Sequence, residues 1–127
     1  MMPFRWRPIL NRLMADIFFI KKGATLPGFT NSFTSNGVPI SLTGTGILIM
    51  RHQFGSEFSK EYSYLDQSVA ENKGRIYVDW SAEDVADWLE GIYYVEQHHT
   101  FNGGSVAVFP TDADVLYDRI QVLPSLA

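Results

Sequence analysis

Three histidines and fourteen acidic residues are the side chains of this chain with the most chemistry in them, and their spacing decides how far it goes. His98 and His99 are adjacent. Neighbouring residues of a strand point to opposite faces, so one metal ion cannot take both rings, and His52 stands far off along the chain. There is no cysteine, hence no thiolate nucleophile, no zinc–cysteine site and no disulfide framework. Asp112, Asp114 and Asp118, with Asp84 and Asp87, raise the question of calcium. They lack the Asp-x-Asp-x-Asp-Gly spacing and the closing Glu of a calcium loop. Thr111-Asp112 after Pro110 reads more simply as a turn in which a side-chain oxygen meets backbone N–H groups. Carboxylate pairs for acid–base work can be drawn from fourteen acids in many ways, so that signal is unspecific. Thr43-Gly44-Thr45-Gly46 and Asn102-Gly103-Gly104 run into neither a helix nor the Lys-Ser/Thr of a phosphate loop; they read as turns. No serine occupies a Gly-x-Ser-x-Gly elbow. The expectation is a protein that is not an enzyme, with no catalytic residues, cofactor or metal, whose histidines are structural or lie on the surface.

The elements that carry these residues are strands. Gly91 to Val122 organises the chain: Ile92 to Phe101, a tight turn at Asn102-Gly103-Gly104, Ser105 to Phe109, a break at Pro110, then Asp114 to Val122. An Asn-Gly step between runs rich in Val, Ile, Tyr and Phe is a hairpin signal, because the turn needs positive φ. Proline lacks a backbone N–H, so the strand before Pro110 stops or sits at an edge. Such a hairpin cannot bury both faces alone, and the earlier chain must supply a covering sheet.

That earlier chain reads as Asp16 to Lys22, Phe29 to Ser35, a turn at Ser35-Asn36-Gly37, the short Val38-Pro39-Ile40, and Ile47 to Gln53. Tyr62 to Val69 is a further expected strand, and Asn72-Lys73-Gly74 turns into Arg75 to Trp80. Ser81 to Leu89 is the expected short helix, with Ser81 as N-cap and Asp84 three residues on. Seven or eight short strands with one small helix predict an all-β, antiparallel sandwich. Its expected core takes Phe18, Ile20, Phe33, Ile49, Tyr77, Tyr93, Val95, Val106 and Val108.

The boundaries follow: an N-terminal arm over 1–14, a β-sandwich over 15–123, and a C-terminal tail over 124–127. With 46% hydrophobic residues the chain is globular, and its length suits one domain. Net charge is −4, but Arg5, Arg7 and Arg12 stand in the first thirteen residues with no acid among them. Taking these three from ten leaves seven basic against fourteen acidic side chains, a body of −7 under a head of +3. An acidic body argues against nucleic acid, since phosphate binding needs clustered Lys and Arg. Ile17 to Ile20 is too short to span a bilayer or to serve as a signal core, so no membrane partner and no Sec-type export are expected. In the arm, Phe4, Trp6, Ile9 and Leu10 are too apolar for a free tail, while Pro3 and Pro8 oppose a long helix. Phe4, Arg5, Trp6, Arg7, Ile9 and Leu10 are therefore the candidate partner-binding residues.

Two resemblances bear on this. Trp80 to Leu89 resembles the first helix of a sterile alpha motif domain, but the further helices of that domain do not follow. The second runs the length of the sandwich. Lys22-Gly23-Ala24-Thr25-Leu26-Pro27, Val38-Pro39-Ile40-Ser41-Leu42-Thr43-Gly44-Thr45, Gly74-Arg75-Ile76-Tyr77-Val78-Asp79-Trp80, Gly91-Ile92-Tyr93-Tyr94-Val95-Glu96 and Phe109-Pro110-Thr111-Asp112 occur in that order. Together they resemble the N-terminal domain of phage baseplate upper proteins. Gln97 departs from the pattern, falling where an inward apolar residue belongs, and Phe54 to Tyr64 has no place in it. The resemblance implies an immunoglobulin-like sandwich. It further implies a structural component of a tailed-phage virion, at tail, baseplate or neck, docking on other virion proteins and on sister copies in a symmetric homo-oligomer. The alternatives are a capsid decoration protein of the same virion and a carbohydrate- or receptor-binding sandwich.

Overall fold

The structure, a computed structural model, describes residues 15–110 and 114–126. Its central element is β7 (Gly91–Thr100), which pairs from Tyr93 to Thr100 with the whole of β4 (Thr45–His52). The other edge of β7 is shared: its first half takes β10 (Tyr117–Leu123) and its second half takes β8 (Val106–Phe109). β5 (Glu57–Tyr62) extends the sheet beyond β4, and β1 (Asp16–Lys21) closes the opposite edge beside β10. The second sheet is built on β2 (Phe29–Ser35), which pairs with β3 (Val38–Pro39), β6 (Arg75–Val78) and β9 (Asp114–Val115). The chain folds as an all-β sandwich of two sheets. Among the described residues no helix is long and apolar enough to cross a membrane.

Alternation sets the core. One sheet turns in Phe18, Ile20, Leu48, Met50, Tyr93, Val95, Ile120 and Val122, and the other Phe29, Phe33, Ile76 and Val78, all buried. Rings join across the gap: Phe33 stacks on Phe109 at 4.1 Å, and Phe18 meets Phe29 edge-on at 5.2 Å. Such pairs add roughly 0.5–1.5 kcal/mol each beyond the area they bury. The helix α1 (Ala82–Val85) starts as its capping box directs: Ser81 Oγ accepts from the Asp84 N–H, and Asp84 accepts from the Ser81 N–H. Beyond α1, Trp88 packs edge-on against Trp80 at 4.8 Å, with Phe58 of β5 against both.

Several sequence expectations are corrected. Among the described residues ten strands replace seven or eight, because two of them span two residues only and the final run divides. Asp114–Val115 joins the second sheet and Tyr117–Leu123 the first, so the chain changes sheets at Leu116. β1 and β10 run parallel in an otherwise antiparallel pattern. The strand expected at Tyr62 to Val69 is displaced: β5 ends at Tyr62, and only a single bridge, Ser63 to Tyr77, follows. The helix stops at Val85, not Leu89. In the core, Phe18, Ile20, Phe33, Tyr93 and Val95 are buried as expected, but Ile49, Tyr77 and Val108 are half-buried and Val106 is exposed. In each of those three strands the neighbouring residues face inward instead: Leu48 and Met50, Ile76 and Val78, Ala107 and Phe109.

Candidate functional site

Strand β7 separates the two candidate histidines as its geometry demands. His99 turns into the sandwich and is fully buried. Its Nε2 lies 2.6 Å from the Thr43 carbonyl, which can only accept, so Nε2 carries the proton. Nδ1 then accepts from the Tyr62 hydroxyl at 2.7 Å. Burial pushes the His99 pKa below the ordinary imidazole value, against the raising effect of its bond to Thr43. Burial likewise pushes the Tyr62 phenol well above its ordinary value, with Tyr64 adding to the shift. The pair is a neutral donor–acceptor couple closed to substrate. Gly46 makes room for it: a Cβ there would stand 2.0 Å from the Tyr62 hydroxyl oxygen and 2.7 Å from His99 Nδ1.

His52 is also buried and also bonded twice. Nε2 donates to the Glu90 carbonyl at 2.8 Å, and Nδ1 accepts from the Phe54 N–H at 3.1 Å. It fastens the β4–β5 turn to the entrance of β7. His98 points the other way, onto the outer sheet face, 2.9 Å from Glu96 Oε1. Among the described residues no three His, Asp or Glu side chains converge as a metal site requires.

The aspartates are dispersed among elements. Burial pushes the Asp84 carboxyl up, but hydrogen bonds from Lys60 and Ser81 outweigh it and hold the group below the usual carboxylate range. Asp118 bonds Arg119 at 2.9 Å, Asp114 lies in β9, Asp87 is exposed, and Asp112 is outside the described residues.

Gln97, the polar residue in an apolar position, has a partner that the motif pattern does not disclose. Asn31 Nδ2 donates to Gln97 Oε1 at 2.6 Å across the sandwich and to the Tyr117 carbonyl at 3.0 Å. Asn31 Oδ1 accepts from the Ser32 and Tyr117 N–H groups at 3.0 and 2.9 Å, and Gln97 Nε2 donates to the Phe109 carbonyl at 3.4 Å. The Asn31 amide thus grips both backbone groups of Tyr117, next to the residue where the chain changes sheets. Each buried polar group here has a partner, and such a network fixes register and topology.

The candidate partner-binding residues Phe4, Arg5, Trp6, Arg7, Ile9 and Leu10 lie outside the described residues. Of the tryptophans inside them, Trp80 and Trp88 are buried, which removes both as platforms for a sugar ring. What the sequence reading missed is the outer face of the six-stranded sheet. Tyr94 is 57% exposed there, in a cleft of about 360 Å³ shared with Ile49, Arg51, Gln53 and Glu96. Arg51 donates to Glu57 through Nε and Nη2, at 3.1 and 2.6 Å. The signal was present: if Tyr93 and Val95 face the core, Tyr94 and Glu96 face out. Neither a protein-family model, nor a curated protein, nor a solved structure matches this chain.

Proposed function

We propose that the protein is a non-enzymatic structural module of a tailed-phage virion, acting in tail, baseplate or neck. Residues Phe4, Arg5, Trp6, Arg7, Ile9 and Leu10 dock it on other virion proteins and on sister copies. The observation that carries this reading is how the polar interior is used. His52, His99, Asn31 and Gln97 are each engaged in joining one element to another, leaving none of them free for a substrate. The baseplate resemblance adds support, since its motifs fall on structural features: Arg75 to Val78 is β6, Gly91 opens β7, and Phe109 ends β8. The experiment is mass spectrometry of purified particles from a lysate in which the gene is expressed. The expected result is the protein in the particles, in a fixed ratio to the tail proteins. Its absence from particles, with the chain found free in the lysate, overturns the proposal.

The carbohydrate-binding alternative is favoured by one observation, the open ring of Tyr94 beside Arg51, Gln53 and Glu96. A glycan array separates the two: saccharide binding that Tyr94→Ala abolishes would favour it, and a blank array removes it.

A further inference from the structure

The two outermost strands of the six-stranded sheet are built differently. β5 carries Glu57, Lys60 and Glu61 along its length, and Glu57 and Lys60 are paired with Arg51 and Asp84. Charges spread along an edge strand discourage another strand from joining it. β1 keeps its charges at its ends. Asp16 begins it, Lys21 and Lys22 close it, and Ile17-Phe18-Phe19-Ile20 runs between them without a proline. The irregularity in its pairing falls on β10, where Asp118 is the extra residue, so β1 itself is regular. The remaining edges are short: β3 and β9 span two residues each, β6 and β8 four.

The backbone of β1 faces two ways. The Asp16 N–H donates to the Leu116 carbonyl at 2.9 Å, and the Lys22 N–H to the Leu123 carbonyl at 2.8 Å. Strand groups alternate, so the even-numbered residues turn to β10, while the N–H and C=O of Ile17, Phe19 and Lys21 point off the edge. The Lys21 carbonyl accepts from the Ala24 N–H at 3.1 Å and keeps a second lone pair. Among the described residues no strand takes up that row.

A second copy of β1 fits it. Antiparallel pairing about a two-fold axis at Phe19 sets that residue opposite its own counterpart. It sets Ile17 opposite Lys21, Phe18 opposite Ile20, and Asp16 opposite Lys22. Inward side chains then stay with inward ones and outward with outward, and the outward-pointing backbone groups meet as hydrogen-bonded pairs. Apolar side chains meet at the centre and opposite charges at both ends, each a favourable cross-strand pair. Phe19, 51% exposed in the single chain, sits on the axis. The preceding residues suit the edge less, because Pro3 and Pro8 have no N–H to give to a ladder.

We infer that two copies of the chain join through β1, antiparallel and centred on Phe19, so that their six-stranded sheets run on into one. The contact uses the same patch on both copies and therefore closes at two. It is separate from residues 4–10 and does not rest on the virion reading.

The test is sedimentation velocity over the micromolar range on the full chain and on Phe19→Lys and Phe19→Glu, alone and mixed, with thermal unfolding as the check on folding. Wild type is expected to dimerise. Each variant alone is expected to dimerise at least about tenfold more weakly, since like charges then meet on the axis. Their mixture is expected to regain the dimer, because opposite charges meet instead. If either variant fails to fold, Asp16→Lys takes its place, expected to weaken the dimer, with Asp16→Lys/Lys22→Glu expected to restore it. A wild type that stays monomeric throughout overturns the inference. So does association that none of these substitutions changes, which would place the contact between copies elsewhere, and so does a mixture no tighter than its parts.

Discussion

His98 and His99 are the same residue on the same strand, one step apart, and they belong to different worlds. The inner face of β7 carries Tyr93, Val95, Gln97 and His99, all buried, and its polar members are hydrogen-bonded to the opposite sheet or to neighbouring strands and loops. The outer face carries Ile92, Tyr94, Glu96 and His98, where an aromatic ring stands half in water and the histidine lies against a nearby glutamate. On this strand the inward polar groups are committed and the outward apolar ones are open, the reverse of what residue type alone suggests. The difference teaches where to look: the inner face holds the fold, and the outer face is the surface available to other molecules.

The sharpest way to break the inner face is to crowd it. Gly46→Ala sets a methyl against the Tyr62 ring and His99, and the expected loss is about 3 kcal/mol or more, read from urea denaturation. Removing a partner costs somewhat less. Asn31→Leu strands Gln97 and both backbone groups of Tyr117, for an expected loss of about 2–3 kcal/mol. Gln97→Leu is expected to cost less than Asn31→Leu, with a coupling energy of ~1 kcal/mol in the double-mutant cycle.

Tyr62→Phe leaves His99 Nδ1 without its donor, at an expected cost of about 1–2 kcal/mol. It also alters the pH profile. The unfolded chain protonates its histidines near pH ~6.5, while the folded chain resists at His99, whose pKa is lowered. The unfolded state then binds more protons, so stability falls as pH drops below ~6.5 and levels off once the folded pKa is passed. At the alkaline end the unfolded chain ionises its tyrosines near pH ~10 while folded Tyr62, with its raised pKa, keeps its proton. Stability therefore falls as pH rises past ~10. Tyr62→Phe is expected to remove the Tyr62 contribution to the alkaline fall and keep the acid one, in denaturation curves taken at several pH values. The smallest effect belongs outside: Tyr94→Ala is expected to stay within about 0.5 kcal/mol of wild type.

Much of the fold could be read from turns and caps. Asn36 and Gly37 both adopt positive φ, 53° and 81°, between β2 and β3, as that dipeptide requires. Ser81 and Asp84 close the capping box. Parity was harder. Ile47-Leu48-Ile49-Met50 is apolar at every position, so alternation cannot say which pair faces in. The neighbours decide it: Leu48 pairs with Gln97 and Met50 with Val95, both buried on β7. Strand β5 was overlooked because Glu57-Phe58-Ser59-Lys60-Glu61-Tyr62 is mostly polar; it lies at an edge, where only Phe58 and Tyr62 need apolar contacts. The Asn31–Gln97 bond spans the whole sandwich and has no signature within either strand.

The central claim, that the inner face holds the fold and leaves the outer face open for the contacts the proposed assembly role requires, is tested most directly by hydroxyl-radical footprinting of the protein in purified particles and free in solution. The account predicts that Tyr94 and Phe19 react readily in the free chain and are shielded in the particle, while Tyr93 and Phe33 are shielded in both. Equal reactivity of Tyr94 and Phe19 in the two states would contradict it.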